Sequence, residues 1–310
     1  MQSVQSPTAI EVASVPAASA TAGGWRGEAR YFAYFTRRRP LFIFGLAVVL
    51  LSLVAAAIGP LVAPYDPIAA TMDILQPPSA SHWMGTDASG SDVFSRVLVA
   101  TRIDLVIALA ATAISMAIGT PLGGLAGFWS TSRGGTRWAS ELLLRLMDII
   151  QSFPVFILAL ALVAVSGPSA RNVIAGIAFV NIPIFLRLTR SAVLTTQHRA
   201  FVDAARVSGE SDLGIVFHHV LPNSLAPALV NASQTVGWSI LLTAGLSFVG
   251  AGVRPPTPEW GAIIAQGAEQ LVSGHWWISF FPGLALATTV FGYAIVGDGL
   301  RQFLDPTKRV

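Results

Sequence analysis

Apolar residues run along this chain in long uninterrupted blocks, and the charged residues gather in the gaps between them. A helix needs about 20 mostly apolar residues to cross the hydrocarbon core of a bilayer. Charge-free windows of this kind lie at 40–65, 105–132 and 149–170, with a shorter one at 172–186. The window 213–253 is too long for one span, and His218, His219 and Pro222 mark its first part as non-membrane. Its apolar part, 226–250, is a fifth span, and 270–297 holds a sixth. The pattern predicts an all-α polytopic membrane protein with six transmembrane helices.

Basic residues orient the spans, because they concentrate in cytoplasmic segments. Placing the N-terminus inside puts fifteen there, among them Arg37, Arg38, Arg39, Arg145, Arg187 and Arg190, and leaves Arg96, Arg102, Arg171 and Arg254 outside. Both termini are therefore expected in the cytoplasm. The chain then divides into a flexible N-terminal tail (1–39), a first transmembrane helix (40–64), an extracytoplasmic segment (65–103), a five-helix core (104–300) and a C-terminal tail (301–310). Prolines 64, 67, 77 and 78 with Gly85 and Gly90 predict turns and short helices for the extracytoplasmic segment. The apolar run after Arg39 is too long and starts too late for a cleaved signal peptide.

Composition narrows the chemistry. Of 310 residues 53% are hydrophobic and only 11% charged, with mean hydropathy +0.64, less than half the charge of a typical soluble domain. With no cysteine, the chain makes no disulfide, thiolate metal site or cysteine nucleophile. Its single lysine, Lys308, sits in the polar C-terminal tail and serves neither a P-loop nor a Schiff base. His82, His198, His218, His219 and His275 show no ligand spacing, and adjacent His218 and His219 are expected on different helix faces. No metal site is expected.

The stretch 201–223, FVDAARVSGESDLGIVFHHVLPN, is too polar for a span yet strongly patterned. Asp203, Ala204 and Ala205 begin a short helix whose small residues permit close approach by another surface. Gly209 ends it, Ser211-Asp212 caps the next turn, and Leu221-Pro222 closes the unit. Such a unit suits docking into a groove of another protein, or lying on the bilayer as a connector. Elsewhere, Asp148 is expected to pair with Arg145, Arg187 or Arg190, and Asp298 near Arg301 to anchor a helix end. Gly119, Gly123 and Gly127 form a ridge for close helix packing. Asn181 and Pro183 interrupt the short fourth window and are candidates to line a pathway. Trp260, Trp276 and Trp277 fit an aromatic belt at the outer interface.

The run D-A-A-x3-G at 203–209, followed twelve residues later by Leu221-Pro222, resembles the cytoplasmic loop of ABC-importer inner-membrane permeases, there usually written with Glu first. Segments 82–96 (HWMGTDASGSDVFSR), 246–252 (LSFVGAG), 255–261 (PPTPEWG) and 297–306 (GDGLRQFLDP) are similar to the dipeptide/oligopeptide/nickel group, in its C-type subunit. Ser91 stands where that group commonly has Arg. The resemblance implies the type I permease fold in a bacterial inner membrane, and a binding-protein-dependent importer for dipeptides, oligopeptides or similar solutes. Its expected partners are a homologous second permease, as a heterodimer, two ABC ATPases that carry ATP and Mg, and an extracytoplasmic solute-binding protein. No cofactor on this chain, no enzymatic activity of its own and no nucleic acid are implied. It also implies that loop 196–224, through Asp203, Ala204, Ala205, Gly209, Leu221 and Pro222, couples the permease to an ATPase. A nickel or other small-solute permease of the same type is the alternative. An ATP-independent secondary transporter is the more distant one, disfavoured because charges sit at span ends and no internal repeat is evident.

Overall fold

The computed structural model describes residues 36, 39–131 and 135–304. The readings for nearly all of the N-terminal tail and for the C-terminal tail beyond residue 304 fall outside them. Among the described residues the chain is helical, and its only β feature is an isolated bridge between Thr86 and Asp92. The helices are α1 (Pro40–Val62), α2 (Val93–Trp129), α3 (Gly135–Ser152), α4 (Val155–Ser166), α5 (Ala170–Thr196), α6 (Ala200–Val207), α7 (Ala226–Phe248), α8 (Trp260–Gln270) and α9 (Trp277–Leu304).

Four of them, α1, α2, α5 and α9, are long and apolar enough to cross a membrane. The third expected span is different. Residues 149–152 belong to α3, and α3 meets α4 at an angle of 89°. Pro154 lies at the break, where it supplies no N–H and forces the preceding residue out of helical geometry. At 1.5 Å per residue the twelve residues of α4 reach only about 18 Å. The apolar window 149–170 thus falls across the bent pair of α3 and α4 instead of forming one straight helix.

Two boundaries also move. α2 begins at Val93, so the last part of the expected extracytoplasmic segment is helical. Asp92 caps it, accepting from the Ser95 N–H and hydroxyl, each at 2.8 Å, and Arg96 in its first turns is neutralised by Asp87. α5 does not stop at Leu186 but continues past Arg187 and Arg190 to Thr196. Hydropathy windows end at a charge, whereas a helix continues wherever that charge reaches a partner or solvent.

α2 is the spine of the bundle. Val97 and Leu105 pack with Ile240 of α7, Trp260 and Ile263 of α8 and Ile278 of α9. Further along, Ile107 and Ala111 meet Ala159 and Val163 of α4 and Ile177 of α5. Its end contributes Phe128 to a third cluster with Val193, Val202, Val216 and Val220. In contrast α1 turns large apolar side chains outward, with Leu51 and Leu61 exposed by 69% and 84%, as a lipid-facing helix does.

The glycine ridge is internal packing. A Cβ at Gly119 would stand 2.6 Å from the Ile182 carbonyl oxygen, one at Gly127 2.8 Å from Val193 Cγ1, and one at Gly123 would run into the Leu186 carbonyl. α2 and α5 therefore touch backbone to backbone. Gly123→Val is expected to cost about 1–3 kcal/mol or more through overpacking. Gly135→Val, at a position with open space around it, serves as the control, and thermal unfolding of the two purified variants checks the difference.

Candidate functional site

The segment joining α5 to α7 builds a compact, one-sided unit. α6 buries Val202 and Ala205 against Phe128, Val193, Val216 and Val220. Its other residues face outward, including Phe201, Asp203, Ala204 and Val207, the last 89% exposed. Of the two expected small residues, Ala204 is available for close approach by a partner, and Ala205 is spent on the chain's own core. Arg206 lies over the Phe128 ring at 5.5 Å and reaches Asp203 at 3.5 Å. The exposed surface combines the apolar Phe201, Ala204 and Val207 with one acid, Asp203, and one base, Arg206.

Gly209 terminates α6 at φ +79°, a left-handed conformation that a Cβ disfavours. Ser211 then caps the next turn, its hydroxyl accepting from the Gly214 N–H at 3.2 Å. The turn Asp212–Gly214 runs into a π-helical stretch, Ile215–Val220, closed by the Leu221 N–H on the Val216 carbonyl at 2.7 Å. Leu221 packs towards Gly124 on α2, and Pro222–Ser224 forms a 3-10 turn leading into α7. Asp203, Ala204, Ala205, Gly209, Leu221 and Pro222 thus share one unit, seated on the end of α2.

One feature of this unit was missed. His218 and His219 do not diverge but converge on Glu210, His218 Nδ1 at 3.0 Å from Oε1 and His219 Nε2 at 2.7 Å from Oε2. Hydrogen bonds from His218, then from His219, hold the Glu210 carboxyl below the usual carboxylate range. Among the described residues no group of His, Asp and Glu forms a metal site.

The remaining predicted residues serve the bundle. Asp148 pairs with Arg187 at 2.6 Å, linking α3 to α5; both are about half exposed or more, so the pair contributes little. Arg145 is exposed and lies outside that pair, while Arg190 is half-buried with its Nε unpartnered. Asn181 is fully buried and donates to the Ser239 hydroxyl of α7 at 3.2 Å, and Pro183 is also buried within α5. Asp298 accepts from Gln234 at 2.7 Å rather than pairing with Arg301.

At the other end of the bundle residues 63–92 fold back on α2. Arg96 and Asp87 form a buried ion pair, and Asp87 also accepts from the N–H groups of Ser89 and Ser91 at 2.8 and 3.0 Å. The Ser91 hydroxyl donates to the Ala69 carbonyl at 3.0 Å, so this position is a buried tether. His82 bonds Asp92 at 2.9 Å. Trp260 and Trp277 are not a belt: both are buried, with indole N–H groups donating to the carbonyls of Val97 and Thr86, each at 3.1 Å. Trp276 alone of the three is substantially exposed. Glu259 caps α8 with both oxygens, and the buried Asp104 accepts from the Trp260 N–H at 3.1 Å. The conspicuous PPTPEWG run therefore docks α8 onto α2.

Residues 119–310 match the family profile described as binding-protein-dependent transport system inner membrane component. Residues 32–78 match the N-terminal TM domain of oligopeptide transport permease C. Among curated proteins, the chain is similar to the di/tripeptide transport system permease protein DppC of Pseudomonas aeruginosa, 42% identical over 84% of this chain and 86% of that one. It is 38% identical to the dipeptide transport system permease protein DppC of Alkalihalophilus pseudofirmus, over 88% of each chain. The glutathione transport system permease protein GsiD of Pectobacterium atrosepticum is 39% identical over 74% of each.

Proposed function

Because the chain belongs to the family of binding-protein-dependent transport system inner membrane components, we propose that it is the permease subunit of an ATP-driven importer whose substrates are peptides. The substrate class follows the relatives, whose names specify dipeptide, di/tripeptide and glutathione transport. In this reading the chain crosses the bacterial inner membrane six times, α3 and α4 together making the third crossing and α7 the fifth, with both termini cytoplasmic. It pairs with a homologous permease, receives solute from an extracytoplasmic binding protein, and relies on two ABC ATPases for ATP and Mg chemistry. Lys308, the only lysine, lies outside any glycine-rich turn, which supports hydrolysis on partner chains.

The observation that carries the mechanism is the one-sided unit 200–224. Its outer face is open to a partner, and its inner face packs on Phe128 of α2 and Val193 of α5. Those two helices touch through Gly119, Gly123 and Gly127, so a push on α6 reaches them as one body. ATP binding on the partners then needs only to favour one of two arrangements of the permease pair. Asn181 sits where α5 meets α7, and in this reading relative movement of the helices brings Asn181 and Pro183 to the pathway.

Mass spectrometry of everything that co-purifies with the chain from its native membrane tests this. Recovery of P-loop ATPases and a second permease is the expected result. A chain recovered alone that transports in liposomes without ATP would overturn it.

A further inference from the structure

The convergence of two neighbouring histidines on Glu210 has a mechanical consequence for the coupling reading, on which the following rests. The Glu210 N–H bonds back to the Ala205 carbonyl at 3.2 Å, which fastens its backbone to α6. Its carboxylate reaches across to the π-helical stretch, engaging a different ring nitrogen with each oxygen at 3.0 and 2.7 Å. Gly214 lies beneath this bridge. A Cβ there would stand 2.7 Å from Glu210 Oε1, so the glycine leaves the room that the carboxylate occupies.

Beyond the histidines the connection continues towards α7. The His219 carbonyl accepts from the Asn223 side chain at 2.7 Å, and the Ser224 hydroxyl donates to the Val220 carbonyl at 2.8 Å. The other attachment between α6 and the π-helical stretch is apolar, Val202 and Ala205 against Val216 and Val220. Apolar contacts are non-directional and permit sliding. The carboxylate bridge adds a directional contact that sets distance and orientation, with His218 74% and His219 40% exposed.

We propose that Glu210 is a positioning residue for coupling: its bridge to His218 and His219 locks α6 to residues 215–224, so that displacement of α6 by an ATPase is delivered to α7 and not only to α2 and α5. α7 also holds Ser239, the partner of Asn181, so this route brings the stroke to the α5–α7 contact.

The absence of cysteine makes the test direct. Leu229 on α7, 51% exposed, is replaced by cysteine and labelled with an environment-sensitive fluorophore in the complete assembly, using cysteine-free variants of the partner chains. The change in emission on adding ATP and vanadate is then read. The otherwise unchanged assembly is expected to respond, and Glu210→Ala to lose the response about tenfold, a usual size for coupling between sites. Glu210→Gln, which retains an acceptor and a donor for two imidazoles, restores most of it. No response in the otherwise unchanged assembly, or a full response in Glu210→Ala, overturns the proposal. So does equal loss of bound ATPase from Glu210→Ala and Glu210→Gln, since the bridge would then matter only for assembly. Asp203→Arg separates the two ideas, because a full response in that variant overturns the coupling reading itself.

Discussion

With residues 200–224 coupling as proposed, Asp203→Arg and Gly209→Pro are expected to abolish uptake while ATP hydrolysis by the partner subunits continues. Asp203 is the acid on the open face of α6, its side chain 68% exposed, and reversing its charge sets two cations, with Arg206, on the face that the proposed coupling offers to an ATPase. Gly209 holds φ +79°, which proline, locked near −65°, does not adopt. The turn after α6 must then rearrange and α6 leaves its seat. Both positions lie in the loop between α5 and α7, so the long helices remain folded. Uptake and hydrolysis measured on the same proteoliposomes are expected to separate by about tenfold or more, the size of a typical coupling energy. Normal uptake by both variants would remove this loop from the mechanism.

The largest effect on stability is expected at the opposite end. In Arg96→Met the Asp87 carboxylate stays buried, 3% exposed, without its cation. Leaving one partner of a buried ion pair uncompensated costs about 3–5 kcal/mol, enough to unfold the 63–92 segment from α2. The double variant Arg96→Met, Asp87→Asn removes the stranded charge and is expected to regain much of that loss. Thermal unfolding in detergent of the parent chain, Arg96→Met, Asp87→Asn and the double variant closes the cycle. If the double variant is as unstable as Arg96→Met, the loss comes from packing rather than charge.

Both predictions begin at residues whose roles differ in how far the sequence shows them. Gly209 and Ser211 act locally, one through its own φ and the other on a group three residues away, so turn and cap chemistry alone identifies them. The apolar helices are legible for the same reason, since each carries its hydrophobicity within itself. Their ends are less so. Arg96 belongs to α2 because Asp87 neutralises it, and Arg187 belongs to α5 with Asp148 beside it, while a hydropathy window sees only the charge. Trp260 reads as a belt residue until its indole meets a carbonyl 163 residues away. His218 and His219 would diverge on a helix considered alone, and it is Glu210, folded back over Gly214, that gives both a common partner.

At 1.5 Å per residue the 37 residues of α2 extend about 55 Å, nearly twice the thickness of a hydrocarbon core of about 30 Å. One continuous helix, with Pro121 inside it, therefore carries Arg96 and the 63–92 segment near one end and Phe128, the seat of α6, at the other. In the topology proposed above its middle lies within the bilayer, and the helix acts as a lever arm about that point. A change in tilt of about 10° swings one tip about 10 Å sideways relative to the other, with no hydrogen bond broken along its length. With that topology, an event sensed on one face of the membrane would be carried to the opposite face by rotation of this one helix, and the two faces would reset together.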